Sequence, residues 1–489
     1  MRWRTIARIV GMLIAVFSTT LIPPLLVALW YEDGEGIAFA AAFIVSAMAG
    51  VIVWWTFRHD SLELKIRDGF LVVFLFWFVL GLVGALPFYW ADALDMSFAE
   101  ATFETFSGLT TTGATVITGL DDLPHALLYY RSQLQWLGGM GIIVLAVAVM
   151  PMLGIGGMQL FKAETPGPVK DAKLTPRIAG TASALWRIYF GLTALCALAY
   201  WLAGMSGFDA INHAFTTIST GGMSTHDASL GYFDSKAIHW IANLFMLLGA
   251  TNFSLHFATV VAFSRGEFPQ RIPYFRDSEF LTFFTFHLSV ALICAFVLWQ
   301  NGYYQNFWHD FHQAVFHAIS VGTSTGFSID VFQKWPSFLP MLLMFGAFVG
   351  GCAGSTGGGM KVIRIMLLFK QGWREIRRLI HPNGVFVIRL ANRAVPEKVI
   401  QGVWGFFATF VALFVALMLL LMADGLDPLS AFSAVVATIN NMGPGLERVA
   451  SDFRSVSDFG LWVANLSMLL GRLEIFTILV LLSPDFWRR

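Results

Sequence analysis

Ten apolar stretches punctuate the chain, at roughly 5–31, 37–57, 70–91, 132–160, 186–205, 237–263, 280–300, 337–369, 403–423 and 459–482. A helix needs about 20 such residues to cross the hydrocarbon core of a bilayer. No water reaches backbone N–H and C=O groups there, so runs of this length are expected to be helices. Composition agrees: 57% of residues are hydrophobic and only 13% charged, where a soluble domain averages about 25% charged. The 45 glycines suit closely packed membrane helices. A soluble enzyme and a disordered chain are argued against. So is a nucleic-acid binder, which would be basic, because 31 Lys plus Arg meet 31 Asp plus Glu. The expected class is an all-α polytopic membrane protein with ten spans. Arg2, Arg4 and Arg8 precede the first stretch as in a signal peptide. That stretch is too long for one and no small-residue cleavage site follows, so it reads as a retained helix.

Basic residues set the expected orientation. With a cytoplasmic N-terminus, inside segments carry 25 basic and 11 acidic residues, and outside segments five basic and 19 acidic. Arg472 and Glu474 make up the remainder, within the last stretch. Both termini then fall inside, as ten spans require. The net charge of zero is thus the sum of two large opposite charges. The densest basic run, 361–398, holds nine basic residues and two acids; it suits anionic lipid or a docked partner about equally. The longest inside loops, near 162–187 and 371–398, are far shorter than a folded domain of about 50 residues. Nucleotide control would have to come from another chain. Cys196, Cys294 and Cys352 are far apart in apolar or Gly-rich surroundings and read as buried free thiols.

Between certain spans lie shorter, semi-polar segments that align as four blocks of fourteen residues. They read ATFETFSGLTTTGA (101–114), AINHAFTTISTGGM (210–223), AVFHAISVGTSTGF (314–327) and AFSAVVATINNMGP (431–444). Each begins with Ala and has Gly at position thirteen: Gly113, Gly222, Gly326 and Gly443. One such turn would be an ordinary interhelical connection; four in register point to a repeated unit of span, short helix, loop and span. Irregular backbone at membrane depth persists only when buried in protein or lining a watery path. Gly reaches φ > 0 freely, so successive carbonyls can turn the same way, and rings of carbonyls replace the hydration shell of a cation. A short helix also aims its negative C-terminal end at that point. The candidate cation-binding residues are Thr111, Thr112 and Gly113; Thr220, Gly221 and Gly222; Ser324, Thr325 and Gly326; and Asn441, Met442 and Gly443. Thr110, Ser219 and Thr323 can line or brace the same loops, and the fourth loop departs most in composition.

TTTGA, STGGM, STGF and NNMGP, each after a short helix, resemble the four pore loops of the TrkH/TrkG/KtrB potassium-transport superfamily. GGCAGSTGGGMK (350–361), MLLGRLEIF (468–476) and QWLGGMGIIVLAVAVMPMLG (135–154) agree, as does an extra N-terminal helix pair of the TrkH/TrkG branch. The resemblance covers nearly the whole chain. It implies a bacterial inner-membrane potassium uptake protein with four potassium-channel-like repeats around a pseudo-fourfold pore. The parts would be a helix pair over 1–60 and pore repeats over 61–165, 166–268, 269–380 and 381–489. K+ would be the transported ion, bound in the filter, with no organic cofactor on this chain. The expected partners are a second copy, in a homodimer, and a cytosolic TrkA-like ring that binds NAD and adenine nucleotides. Gly at position thirteen in all four loops goes with potassium preference in the superfamily, and Ser in the first loop with sodium permeation.

The resemblance also places a gate in the second helix of repeat three, at Gly350, Gly351, Gly354, Gly357, Gly358 and Gly359. The residues agree, since each Gly costs a helix interior about 1 kcal/mol relative to Ala. Close helix packing through small residues is the plainer alternative. Arg472 is a charge inside a span, which costs about 2.5–3.5 kcal/mol on insertion scales and seeks a polar cavity. Glu474, two residues on, does not share its helix face, so Arg472 is expected to reach the pore or the Gly-rich segment rather than snorkel to the surface. The family's matching Arg lies near the gate. Lys361 either touches the gate or anchors the inner surface. Glu104, His213 and His317 on the short helices are expected to brace rather than relay protons. Asp92, Asp95, Asp121 and Asp122 form an acidic outer fringe that would weakly attract cations. A secondary transporter coupling potassium to protons or sodium is the competing reading, but a coupled carrier needs a titratable group at its midplane site, and the four loops contain no carboxylate beside the filter positions. A membrane-embedded enzyme has no support: no HExxH, nucleophile–base set or metal cluster stands out.

Overall fold

The computed structural model describes residues 2–59, 65–144, 178–266, 272–304, 306–390 and 393–488. The N-terminal part is a broken helix, α1 (Trp3–Ser18) and α2 (Ile22–Tyr31), followed by α3 (Gly36–Thr56). α1 and α3 cross tightly: a Cβ on Gly11 would lie 2.6 Å from Trp54 N, and one on Gly50 2.5 Å from Ala15 N. Small residues permit that approach where apolar burial gives no gain in lipid.

Four helix–loop–helix units follow. Unit one contains α4 (Ile66–Gly84), α5 (Leu86–Trp90), the short α6 (Phe98–Leu109) and α7 (His125–Val144). Unit two contains α8 (Ile178–Leu202), the short α9 (Gly207–Ile218), α10 (Lys236–Gly249) and α11 (Phe253–Ser264). Unit three contains α12 (Ser278–Gln300), α13 (Phe307–Gly322), α14 (Leu339–Val349) and α15 (Val362–Ile380). Unit four contains α16 (Glu397–Ala423), the short α17 (Pro428–Ile439), α18 (Asp458–Arg472) and α19 (Phe476–Leu482). Between α15 and α16 a two-residue antiparallel pairing places Arg389 opposite Ala394. Buried apolar side chains gather in two large clusters, one chiefly from the N-terminal helices with units one and four, the other chiefly from units two and three.

Among the described residues, six helices are long and apolar enough to cross a membrane, and two bent pairs pass the same test together. The bends correct the reading of 237–263 and 459–482 as continuous spans. α10 and α11 meet at 99°, and α18 and α19 at 116°. In 337–369 the helix stops at Val349 and resumes at Val362. The stretch 132–160 is helical to Val144, and its remainder lies outside the described residues, as do Lys162, Lys170, Lys173 and Arg177.

Local chemistry explains where the short helices begin. Each has a side-chain cap. Ser97 Oγ accepts from Glu100 N while Glu100 Oε2 accepts from Ser97 N at 2.7 Å, a reciprocal capping box. Ser206 caps through Asp209 N, Asn306 through Trp308 N, and Asp427 through Leu429 N and Ser430 N.

Candidate functional site

All four short helices end the same way. Position eleven of each block takes a left-handed backbone: Thr111 (φ 51°), Thr220 (52°), Ser324 (59°) and Asn441 (51°). Position twelve then returns its N–H to the carbonyl five residues back: Thr112 to Ser107, Gly221 to Thr216, Thr325 to Ser320 and Met442 to Ala437, at 2.8–2.9 Å. This is a Schellman-type ending, usually made with Gly at the left-handed position. The glycine at position thirteen is left-handed again in every loop, with φ between 74° and 98°.

The loops meet in a closed cycle. A Cβ on Gly113 would fall 2.0 Å from Gly221 O, one on Gly222 1.9 Å from Thr325 O, one on Gly326 2.1 Å from Met442 O, and one on Gly443 2.8 Å from Thr112 O. Each glycine therefore abuts the position-twelve carbonyl of the next loop, and the fourth returns to the first. Any side chain at position thirteen would push that oxygen aside.

Position four of the block braces the return path of each of the first three loops. Glu104 is fully buried, 2.7 Å from Arg131 Nε, and accepts from Thr115 Oγ1 and Val116 N. Arg131 reaches onward to Ser224 O, joining loop one to loop two. His213 bonds Ser224 Oγ at 2.9 Å, and His317 contacts Asp330 O at 3.2 Å. These are bracing contacts, as the residue types led one to expect. Asp121 pairs with His226.

The twelve residues from Gly350 to Lys361 lie against the C-terminal ends of three short helices. Thr356 Oγ1 shares its one hydrogen between Ile218 O (3.0 Å) and Gly249 O (2.9 Å), and Gly359 N donates to Asn440 O at 3.1 Å. Gly358 N bonds Ser324 Oγ, and a Cβ on Gly357 would lie 3.0 Å from Thr323 O. Cys352 N binds Ala250 O, and Ala353 N binds Glu279 Oε1. Gly350, Gly354 and Gly359 have positive φ, and so does Lys361, whose ammonium bonds Gly357 O. Gly351 N returns to Gly358 O, closing the segment on itself.

Arg472 is only 6% exposed and donates from Nη1 to Thr356 O at 3.0 Å. Its Nε and Nη2 have no hydrogen-bond partner among the described residues. Arg472 lines a cavity of about 40 Å³ together with Gly357, Gly358, Lys361, Asn441 and Gly471. A polar cavity of that size has room for water. Glu474 does not pair with Arg472; it binds Arg364 Nη2 at 2.6 Å.

Thr356, which bonds Ile218 O, and Gln135, which bonds Gly221 O, lie inside conspicuous Gly-rich strings, yet their residue types alone point to no role. One sequence signal was available for the helix breaks: Leu137-Gly138-Gly139, Leu248-Gly249-Ala250, Val349-Gly350-Gly351 and Leu470-Gly471-Arg472 are equivalent. Gly138, Gly249 and Gly471 each pack on the last carbonyl of their own short helix, Leu109 O, Ile218 O and Ile439 O. In units two, three and four the helix ends within a residue of this glycine. Arg472 is the one charged residue at the following position.

Long apolar helices around four loops that converge on one centre define an integral membrane protein. A family model for TrkH, described as a cation transport protein, matches residues 35–489. The chain is 56% identical over 488 residues to the Trk system potassium uptake protein TrkH of Vibrio parahaemolyticus and 54% identical to that of Escherichia coli K12, covering 100% of each pair. It is 40% identical to the Trk system potassium uptake protein TrkG of E. coli K12, covering 99% of both chains. The crystal structure of the potassium transporter TrkH from V. parahaemolyticus superimposes with a TM-score of 0.92 at 54% identity, covering 100% of both chains. The chain belongs to the TrkH family of cation transport proteins, and is therefore a transporter rather than an enzyme.

Proposed function

We propose that this chain conducts potassium into a bacterial cell across the inner membrane, through a filter formed by the four loops. The observation that carries the reading is the closed cycle of position-thirteen glycines on position-twelve carbonyls. Four loops held this way present backbone oxygens to a common axis, where they replace the water around K+. Names of the relatives support potassium as cargo. The ten apolar stretches support a helix pair and four pore repeats, two of the stretches being bent, and the charge asymmetry along the sequence supports cytoplasmic termini.

The Gly350–Lys361 segment acts as the gate. Its contacts with Ile218, Thr323 and Asn440 bear on the carbonyl ends of three short helices, just where an ion leaving the filter would pass. Arg472 adds a positive charge at the same place and repels cations while the segment is closed. A cytosolic TrkA-like ring that binds NAD or adenine nucleotides would dock on the basic run 361–398 and draw the segment aside, and the membrane unit would be a homodimer. Uncoupled conduction is favoured over symport, since the filter positions offer hydroxyls in loops one to three, an amide in loop four and backbone throughout, but no carboxylate.

The test is growth of a potassium-uptake-deficient bacterium at limiting potassium, with this chain expressed alone and with a cytosolic partner. Rescue that needs potassium and is enhanced by the partner is expected. Failure to rescue with both present, while the chain is inserted, would overturn the assignment.

A further inference from the structure

Position twelve of the block carries a side chain in three loops, Thr112, Thr325 and Met442, but not in the second, where it is Gly221. The space is filled from another unit. Gln135, on α7 of unit one, is fully buried, and a Cβ on Gly221 would lie 2.3 Å from its Cδ and 2.4 Å from its Oε1. The Gln135 amide grips loop two at both ends. Nε2 donates to Gly221 O at 2.7 Å, and Oε1 accepts from Met223 N at 3.1 Å. The two bonds straddle Gly222. Gly221 O is also the oxygen that Gly113 abuts across the cycle. One side chain of unit one thus fixes the carbonyl at the seam between loops one and two.

The other units place no amide side chain at the matching position. The residue three before the shared glycine is Met246, Ala347 and Met468 in units two, three and four. Loops one and three tie their position-twelve hydroxyl to their own position-ten hydroxyl instead, Thr110 to Thr112 and Thr323 to Thr325, both at 2.8 Å. We infer that Gln135 is a positioning residue for ion selectivity, standing in for the side chain that Gly221 lacks and holding the Gly221 carbonyl in the ring. An oxygen that already accepts an amide N–H offers one lone pair fewer to a cation. The filter is therefore electrostatically unequal, weakest at loop two. This rests on the proposal that the four loops form the filter.

The test measures the potassium-to-sodium permeability ratio of the purified chain in vesicles. Gln135→Leu keeps the volume and removes both bonds; the ratio should fall by roughly two- to tenfold, the scale of the one bond that bears on the Gly221 carbonyl. Gly221→Thr alone should collide with Gln135 and lower the ratio. The pair Gln135→Ala with Gly221→Thr clears the space and gives loop two the hydroxyl pattern of loops one and three, so it should recover most of the native ratio. Recovery of selectivity by the pair is a readout that a merely structural role would not move. An unchanged ratio in Gln135→Leu overturns the inference, and so does a pair no better than its worse single variant. Should either single variant fail to insert, the pair still decides. Gly113→Ser runs alongside: if it shifts the ratio and the Gln135 variants do not, this inference alone fails; if none shifts it, the filter assignment fails as well.

Discussion

Thr111, Thr220, Ser324 and Asn441 each hold a backbone conformation that costs a residue with a Cβ roughly 1–2 kcal/mol. Strain of this kind persists only where the surroundings over-determine it. Here the surroundings are the ring contacts and, beside loops one and two, the buried Glu104–Arg131 pair. Removing one partner of such a pair leaves an uncompensated buried charge and costs about 3–5 kcal/mol. Arg131→Ala should therefore lower thermal stability in detergent sharply, while Arg131→Lys should lower it less; equal stability in all three would remove the brace from the account. Arg472 calls for a different test. Two of its three guanidinium nitrogens lack partners among the described residues, so its charge is not consumed by packing. Arg472→Ala should raise potassium flux in the absence of any partner ring. If flux stays at the native level in normally inserted protein, Arg472 is not a barrier.

The elements of each unit were partly legible in the sequence. The repeated Gly at position thirteen made the four fourteen-residue blocks visible, and every short helix ends at position nine of its block. The bends did not show, because a span-length average of hydropathy absorbs Thr251 and Asn252 in one stretch and Arg472 and Glu474 in the other, and hydropathy cannot sense direction. The break at Val349 did show, because six glycines in ten residues cannot make a stable helix interior. Gln135 against Gly221 stayed hidden for a third reason: the contact joins two units, and a block-by-block alignment sees only a Gly where a Thr is usual. Capping gives the elements a pH dependence as well. Hydrogen bonds from Ser430, through side chain and backbone, hold the Asp427 carboxyl below its ordinary value. A lowered folded-state pKa means the cap stabilises α17 above the unfolded pKa and loses that effect as pH falls through the folded one. Native protein should thus lose stability faster on acidification than Asp427→Asn, which keeps an accepting oxygen but no titration; parallel melting curves across pH would contradict this.

At the scale of the molecule, the charge balance of zero carries information only after folding separates it. Acidic residues gather on the side where the short helices begin, at Glu100, Asp209, Asp310 and Asp427. Basic residues gather on α15, beyond the Gly-rich segment, at Arg364, Lys370, Arg374, Arg377 and Arg378. On the proposed reading a cation would be attracted at the acidic side and meet glycine backbone, Lys361 and Arg472 before the basic one. The centre of the account is that four loops make one filter, each glycine leaving room for its neighbour's carbonyl. The most direct measurement is the reversal potential of the purified chain in vesicles with potassium on one side and sodium on the other, native against Gly113→Ser. A new side chain at a position 2.0 Å from Gly221 O should displace that oxygen and move the reversal potential toward zero, as sodium permeates more nearly like potassium. An identical reversal potential in the two proteins would contradict the filter.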